Sequence, residues 1–254
     1  MTGLPLLPAS RHARVGVHPL GVAHMVMDDV ARYYLPIHGL SSRDDLPDYT
    51  LLTFIEALIC QGEEQMEQAA KDGQADVYAA WRDSKAQIRD LLRERQIEHP
   101  RIERYLEGTE AFFVQIHALV YRGELTHTNI VEAMECAPSD FRLLHVIVGE
   151  MLSSPCSDGL LDLLEPLEVL RDIHWHLAHY RDDVEHGLFN IYDMFSRLHG
   201  GDAPARVRAE QQRLEQVLDQ RLSSASPSAR AAIEPMLRAY RERMAEVSVP
   251  SAAL

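Results

Sequence analysis

Between Pro166 and Gly201 the chain reads PLEVLRDIHWHLAHYRDDVEHGLFNIYDMFSRLHGG, and six polar residues in it fall on alternating steps of four and three. They are Asp172, His176, His179, Asp183, His186 and Asn190, and on a helix that spacing puts them along one side. One position over, the same steps give Ile173, Leu177, Tyr180, Val184, Gly187 and Ile191, an apolar seam. Carboxylates and imidazoles are ligands for divalent metals, and two at i, i+4 converge on one ion. The row also fits a blander reading, the wet edge of an amphipathic helix. The solvent face is expected elsewhere, through Arg171, Ala178, Arg181 and Glu185.

A metal needs ligands from more than one helix, and three other apolar stripes carry carboxylates. Asp29, with Asp28 beside it, lies on the stripe Val22, Val26, Tyr33, Ile37. Glu110 and His117 lie on Leu106, Phe113, Val120, and Glu150 follows Leu143 and Ile147. An ionised carboxylate on a buried stripe is costly unless a cation or a metal faces it, so an ion pair with Arg142 or Arg32 competes with the ligand reading.

The elements that would position these groups are helices throughout. Periodicity predicts them at 18–38, 49–71, 74–97, 100–121, 126–134, 139–152, 159–199, 203–222 and 227–247. Pro100 opens one, the stretch 153–159 (SSPCSDG) separates two, Gly200-Gly201 ends the longest, and Pro166 should kink or break it. No alternating strand pattern, repeat or domain linker interrupts them. The expectation is one all-α domain, a helical bundle over residues 1–254 with flexible tails at about 1–17 and 248–254. With 46% hydrophobic and 25% charged residues the composition is globular. A net charge of −14 argues against nucleic acid but allows an anionic substrate bridged through divalent cations. No apolar run reaches the roughly 18 residues of a membrane span. Prolines at 5 and 8 make the start a poor signal peptide, and the three unpaired cysteines fit free thiols in the cytoplasm rather than disulfides or a Cys-based zinc site. Oligomeric state stays open, a homodimer included.

The segment HYRDDVEHGLFN (179–190) resembles the second metal-binding region of class I isoprenoid synthases, the all-α terpene cyclases and prenyltransferases. HMVMDDVARYY (24–34) resembles a degenerate copy of their first aspartate-rich region; DDLPD (44–48) matches its literal string, but Asp44, Asp45 and Asp48 beside Ser41, Ser42 and Pro47 look like helix capping. The resemblance implies an isoprenoid-synthase-like bundle acting as a lyase or transferase. Mg²⁺ would be held by Asp28, Asp29, His179, Asp182, Asp183, His186 and Asn190, with Arg142, Tyr240 and Arg241 contacting the diphosphate of a prenyl substrate. It also implies an aromatic pocket for a carbocation, from residues such as Tyr33, Phe112 and Trp175.

A second resemblance is to haem-oxygenase-like di-iron oxidases, whose HxxxDxxH string is matched by His179, Asp183 and His186. It implies two Fe ions held by these with Glu110, His117 and Glu150, and oxidation of a small molecule. A non-catalytic helical binding protein is the third reading.

Overall fold

In the computed structural model, residues 15–46, 48–154 and 156–244 are described. They form ten α-helices and no strand: α1 (Val17–Tyr33), α2 (Tyr49–Lys71), α3 (Ala79–Glu94), α4 (Arg101–Ile116), α5 (His127–Cys136), α6 (Ser139–Met151), α7 (Asp158–His186), α8 (Ile191–His199), α9 (Ala203–Ser224) and α10 (Pro227–Met244). The expected tails fall mostly outside the described residues, as do positions 245–247 of the last expected helix. No described helix is long and apolar enough to cross a membrane.

Side chains decide where several helices begin. Asp48 accepts the Leu51 amide at the head of α2, Thr126 the Asn129 amide at the head of α5, and Ser157 the Leu160 amide at the head of α7. Two expected helices end early. The stretch 18–38 leaves the α geometry at Tyr33, because Pro36 cannot donate and disfavours α geometry before it; Leu35–His38 continues as a 3₁₀ turn. The stretch 100–121 finishes in a π turn, His117–Tyr121.

α2 lies between α1 and α3, and α4 packs on α5 and α6. α7 is covered by α8, α9 and α10, and α6 also touches α1 and α2. The core runs through all of them, from Met27, Leu52 and Trp81 to Phe113, Leu144, Leu170, Phe195 and Met236. Arg101 of α4 clamps the start of α7 through Asp158 at 2.7 Å and Asp162 at 2.9 Å.

Of the two outcomes expected at Pro166, a kink or a break, the break does not occur: α7 runs on through it. A proline in mid-helix leaves the carbonyl four residues earlier without its donor, a cost of about 3 kcal/mol. Here that carbonyl belongs to Asp162, and the guanidinium of Arg221 on α9 donates to it. Arg142 of α6 donates to the Glu165 carbonyl just before the proline and to the Glu135 carbonyl of α5, at 3.2 Å each, joining the two helices there. The break comes instead at Gly187, whose φ of 67° lets the last turn close: Leu188 N–H bonds Asp183 O at 2.8 Å and Gly187 N–H bonds Val184 O at 3.2 Å.

Arg221→Met should therefore destabilise the protein by roughly 1–3 kcal/mol. In a Pro166→Ala background, where residue 166 regains its N–H, the same change should cost clearly less. A denaturant double-mutant cycle measures the difference, and simple additivity of the two substitutions would remove Arg221 as the substitute donor.

Candidate functional site

The polar row of α7 divides into separate roles. Asp172 and His176 are half-buried, with Nε2 of the imidazole 3.6 Å from the carboxylate. His179 stacks on Trp175, rings 4.0 Å apart, and its Nδ1–H bonds the Trp175 carbonyl at 2.8 Å; Trp175 itself is exposed, not turned into a pocket. His186 is exposed and bonds the Asp182 carbonyl at 2.7 Å in the same way. Asn190 is buried as the N-cap of α8, not available as a metal ligand. Its amide donates to Asp183 and to the His176 carbonyl, both at 2.8 Å, and accepts from the Tyr192 and Asp193 amides, so its four hydrogen-bonding positions are all used.

Ala178, Arg181 and Glu185 of the expected solvent face are exposed, but Arg171 is not: it is only 6% exposed. Its guanidinium donates to Asp29 at 3.2 Å and lies 3.6 Å from the centre of the Phe141 ring. The first half of α7 is covered by its neighbours and the second half opens to water, so Arg171 falls on the covered part, where its charge is kept by the carboxylate and the ring together.

The other candidates are spread over the bundle. Asp29 faces Arg171, ~18 Å along the helix axis from Asp183 at 1.5 Å per residue. Asp28 is exposed, 3.7 Å from Arg43. Asp45 completes a capping box with Ser42, and Asp48 caps α2 and pairs with Arg95. Glu110 bonds Lys85 at 3.0 Å, His117 meets the Tyr78 hydroxyl at 2.9 Å, and Glu150 is half-buried at the end of α6. Arg142 donates to Glu168 at 2.9 Å. Tyr240 is buried, its ring 5.3 Å from that of His174, and Arg241 is exposed. Among the described residues, neither expected ligand set brings three donor atoms close enough to share one ion.

What the row does border is a group of acids, Glu56 buried and Glu63 and Asp140 half-buried, that sequence reasoning passed over. Glu56 of α2 is 1% exposed; one oxygen receives the Cys60 thiol at 3.5 Å and the other has no partner. Burial, then the nearby Asp140, push its carboxyl well above the usual range. One heptad along α2, Glu63 is raised to about 8 by burial and by Glu67 and Asp140. Asp140, in the first turn of α6, is raised to about 7 by burial, against the Phe141 amide and the Arg171 guanidinium, with Asp172 adding to the rise. On the α7 side, one oxygen of Asp172 is buried without a hydrogen bond, and burial lowers His176 while Asp172 and Asp183 hold it up. Phe189 stands 5.9 Å from the His176 ring and 5.9 Å from Phe112. The available signal was Glu56 itself, a carboxylate inside the apolar run LLTFIEALIC, followed a turn or two later by the string EEQME.

Glu56, Asp140, Asp172 and Asp29 thus lie within the field of one guanidinium, and Glu63 reaches the group through Asp140. Together they form an oxygen-rich, under-neutralised region. Comparison of the chain with protein-family models, curated proteins and solved structures gives no match.

The raised carboxyls set a pH dependence with a definite sign. In the unfolded chain these groups are ionised at neutral pH, while the folded protein keeps protons on them. Stability therefore falls as pH rises through the folded values, about 7 for Asp140 and about 8 for Glu63. The imidazoles lowered by burial, His38, His117, His145, His176 and His199, act only below their ordinary value near 6.5 and leave this window clear. Cation-free protein should lose on the order of 1 kcal/mol between pH 7 and 8. Thermal or denaturant unfolding at the two pH values checks it, and a flat or rising stability would contradict the buried-acid assignment.

Proposed function

We propose that this chain is a divalent-cation-dependent enzyme of the isoprenoid-synthase type, which binds a prenyl diphosphate and ionises it. The observation that carries the reading is a set of desolvated carboxylates, Glu56 buried and Glu63 and Asp140 half-buried, near Asp172 of α7 without enough positive charge among them. In this reading Mg²⁺ arrives with the diphosphate, whose oxygens and water supply most of its ligands, and single carboxylates such as Asp172 or Asp140 hold the complex, since no three of these acids lie close enough to share one ion. The orphaned oxygens of Glu56 and Asp172 fit such an ion, being hard donors already desolvated. Bound Mg²⁺ supplies neutralisation of the charge that builds on a departing diphosphate.

The chain's own groups do the rest. Arg171 supplies a fixed cation beside the acids, held by Asp29 and Phe141, and limits their mutual repulsion before substrate arrives. Phe112 and Phe189, next to His176, give the hydrocarbon an aromatic wall that tolerates positive charge and excludes water. Asp183 serves through Asn190, fixing the corner where α7 hands over to α8. The acidic surface of a protein with net charge −14 favours diphosphate only as its metal complex. The di-iron reading has less support, since Glu110 is engaged by Lys85 and His117 by Tyr78.

The test is incubation with geranyl, farnesyl and geranylgeranyl diphosphates and Mg²⁺, scored for released diphosphate and hydrocarbon products. Release is expected with at least one of them. Glu63→Gln should lower it on the order of 100-fold while leaving stability equal or higher, because it removes a repelling carboxylate. No Mg²⁺-dependent release with any substrate, together with two irons per purified chain, would replace this reading with the oxidase.

A further inference from the structure

A second group of potential ligands lies away from the acids, where α1, α6 and the entry to α7 meet. His38 closes the 3₁₀ turn Leu35–His38, His145 sits in the middle of α6, and Cys156 precedes the N-cap of α7. Their ligand atoms lie within 4.8 Å of one another, the one such trio among the described residues. The Cys156 sulfur is 3.5 Å from His145 Nε2 and 4.0 Å from His38 Nε2. Zinc bonds of about 2.3 Å to sulfur and about 2.0–2.1 Å to nitrogen, at tetrahedral angles, require sulfur and nitrogen about 3.6 Å apart. We propose that His38, His145 and Cys156 form a binding site for a borderline transition-metal ion of the Zn²⁺ class, with a fourth coordination position left for water or an exogenous ligand.

The surroundings are built to hold the three groups. A Cβ on Gly149 would stand 3.0 Å from the Cys156 sulfur and 3.1 Å from the Ser154 carbonyl, so only glycine lets this loop lie against α6 one turn beyond His145. Tyr34 stacks on the His145 ring at 4.7 Å and fixes its plane. The Tyr34 hydroxyl in turn donates to Glu168 at 2.7 Å, and Glu168 receives Arg142 at 2.9 Å, so the brace reaches α7. His145 is 1% exposed and His38 half-buried, which leaves the His38 side as the route from solvent.

The donor chemistry agrees. Burial lowers both histidines, keeping their nitrogens unprotonated at neutral pH. The Cys156 thiol is pushed up to about 12 by burial, with Glu150 and Glu168 adding to it. That argues against a resting thiolate nucleophile paired with His145. On binding, the metal–sulfur bond forms as the S–H bond breaks, and the proton leaves to solvent. One thiolate and two imidazoles select Zn²⁺, Co²⁺ or Cu⁺ over Mg²⁺. The ion would join the turn after α1, the middle of α6 and the start of α7.

The experiment uses the full chain, stripped with chelator and titrated with Zn²⁺ and Co²⁺ in excess Mg²⁺. One Zn²⁺ per chain is expected, with a rise in melting temperature, and bound Co²⁺ should show a near-ultraviolet thiolate charge-transfer band. Cys156→Ser should abolish the band, and Cys156→Ser and His38→Gln should each weaken Zn²⁺ binding roughly 10–100-fold. Cys60→Ser, Cys136→Ser and Glu63→Gln should leave both signals in place, which separates this site from the acidic interior. His38→Gln sits at a half-buried position, so its folding is not in question if Cys156→Ser proves unstable. Zn²⁺ uptake unchanged by both ligand substitutions, or no uptake at all, overturns the proposal. So does rapid iodoacetamide labelling of Cys156 in chelator-treated protein that then takes up no Zn²⁺, which would mark a thiol–imidazole nucleophile.

Discussion

Arg171 is nearly out of contact with water, so its charge must be answered where it stands. A lone buried guanidinium would cost several kcal/mol, and the fold answers it with Asp29 at 3.2 Å and the face of Phe141 at 3.6 Å. Those two contacts tie α1 and α6 to α7. Once the cation is fixed, carboxylates that would be untenable elsewhere become tolerable around it: Asp140, Glu56 and Asp172 all lie within its field. One positive charge cannot neutralise them all, and the remainder is held as protons on raised carboxyls. An interior of this kind is stable enough to fold and still short of cations.

That arrangement depends on α7 staying helical across its whole length. Arg221 and Arg142, from α9 and α6, supply side-chain donors to backbone carbonyls around Pro166, and Arg142 also pairs with Glu168. Glu168 then reaches Tyr34, on which His145 stacks. Arg171 and Asp172, one turn further along the helix, belong to the acidic interior instead. Successive turns of one helix therefore support two sites, and the proline between its capped start and these turns is accommodated by partners outside the helix.

The all-helical class and most helix positions were legible because apolar residues recur at helical spacing: α2, at Tyr49–Lys71, coincides with the stretch that periodicity marks. Arg171 was misplaced for a physical reason. Periodicity finds the direction in which a helix is most apolar and assigns the opposite side to water, but α7 has neighbours on several sides. Pro166 looked like a break because its compensating donor lies over fifty residues away in sequence, on α9. Asn190 looked like the sixth member of the ligand row because Gly187, read as part of a stripe, was a terminator. His38, His145 and Cys156 carry no shared motif, and each alone is an unremarkable residue; only the tertiary approach permitted by Gly149 makes them a group.

The two sites differ in hardness, and this keeps their chemistry apart. The acidic interior offers oxygen donors at mid-bundle, whose repulsion favours small, highly charged hard cations and anions that arrive with them. The trio near the start of α7 offers nitrogen and sulfur, with little to hold Mg²⁺ against its hydration shell. A soft ion entering the acids would forgo sulfur, and Mg²⁺ entering the trio would forgo the carboxylates. In the two proposed assignments the cost of misplacement runs the same way for both ions, and each would favour its own donors.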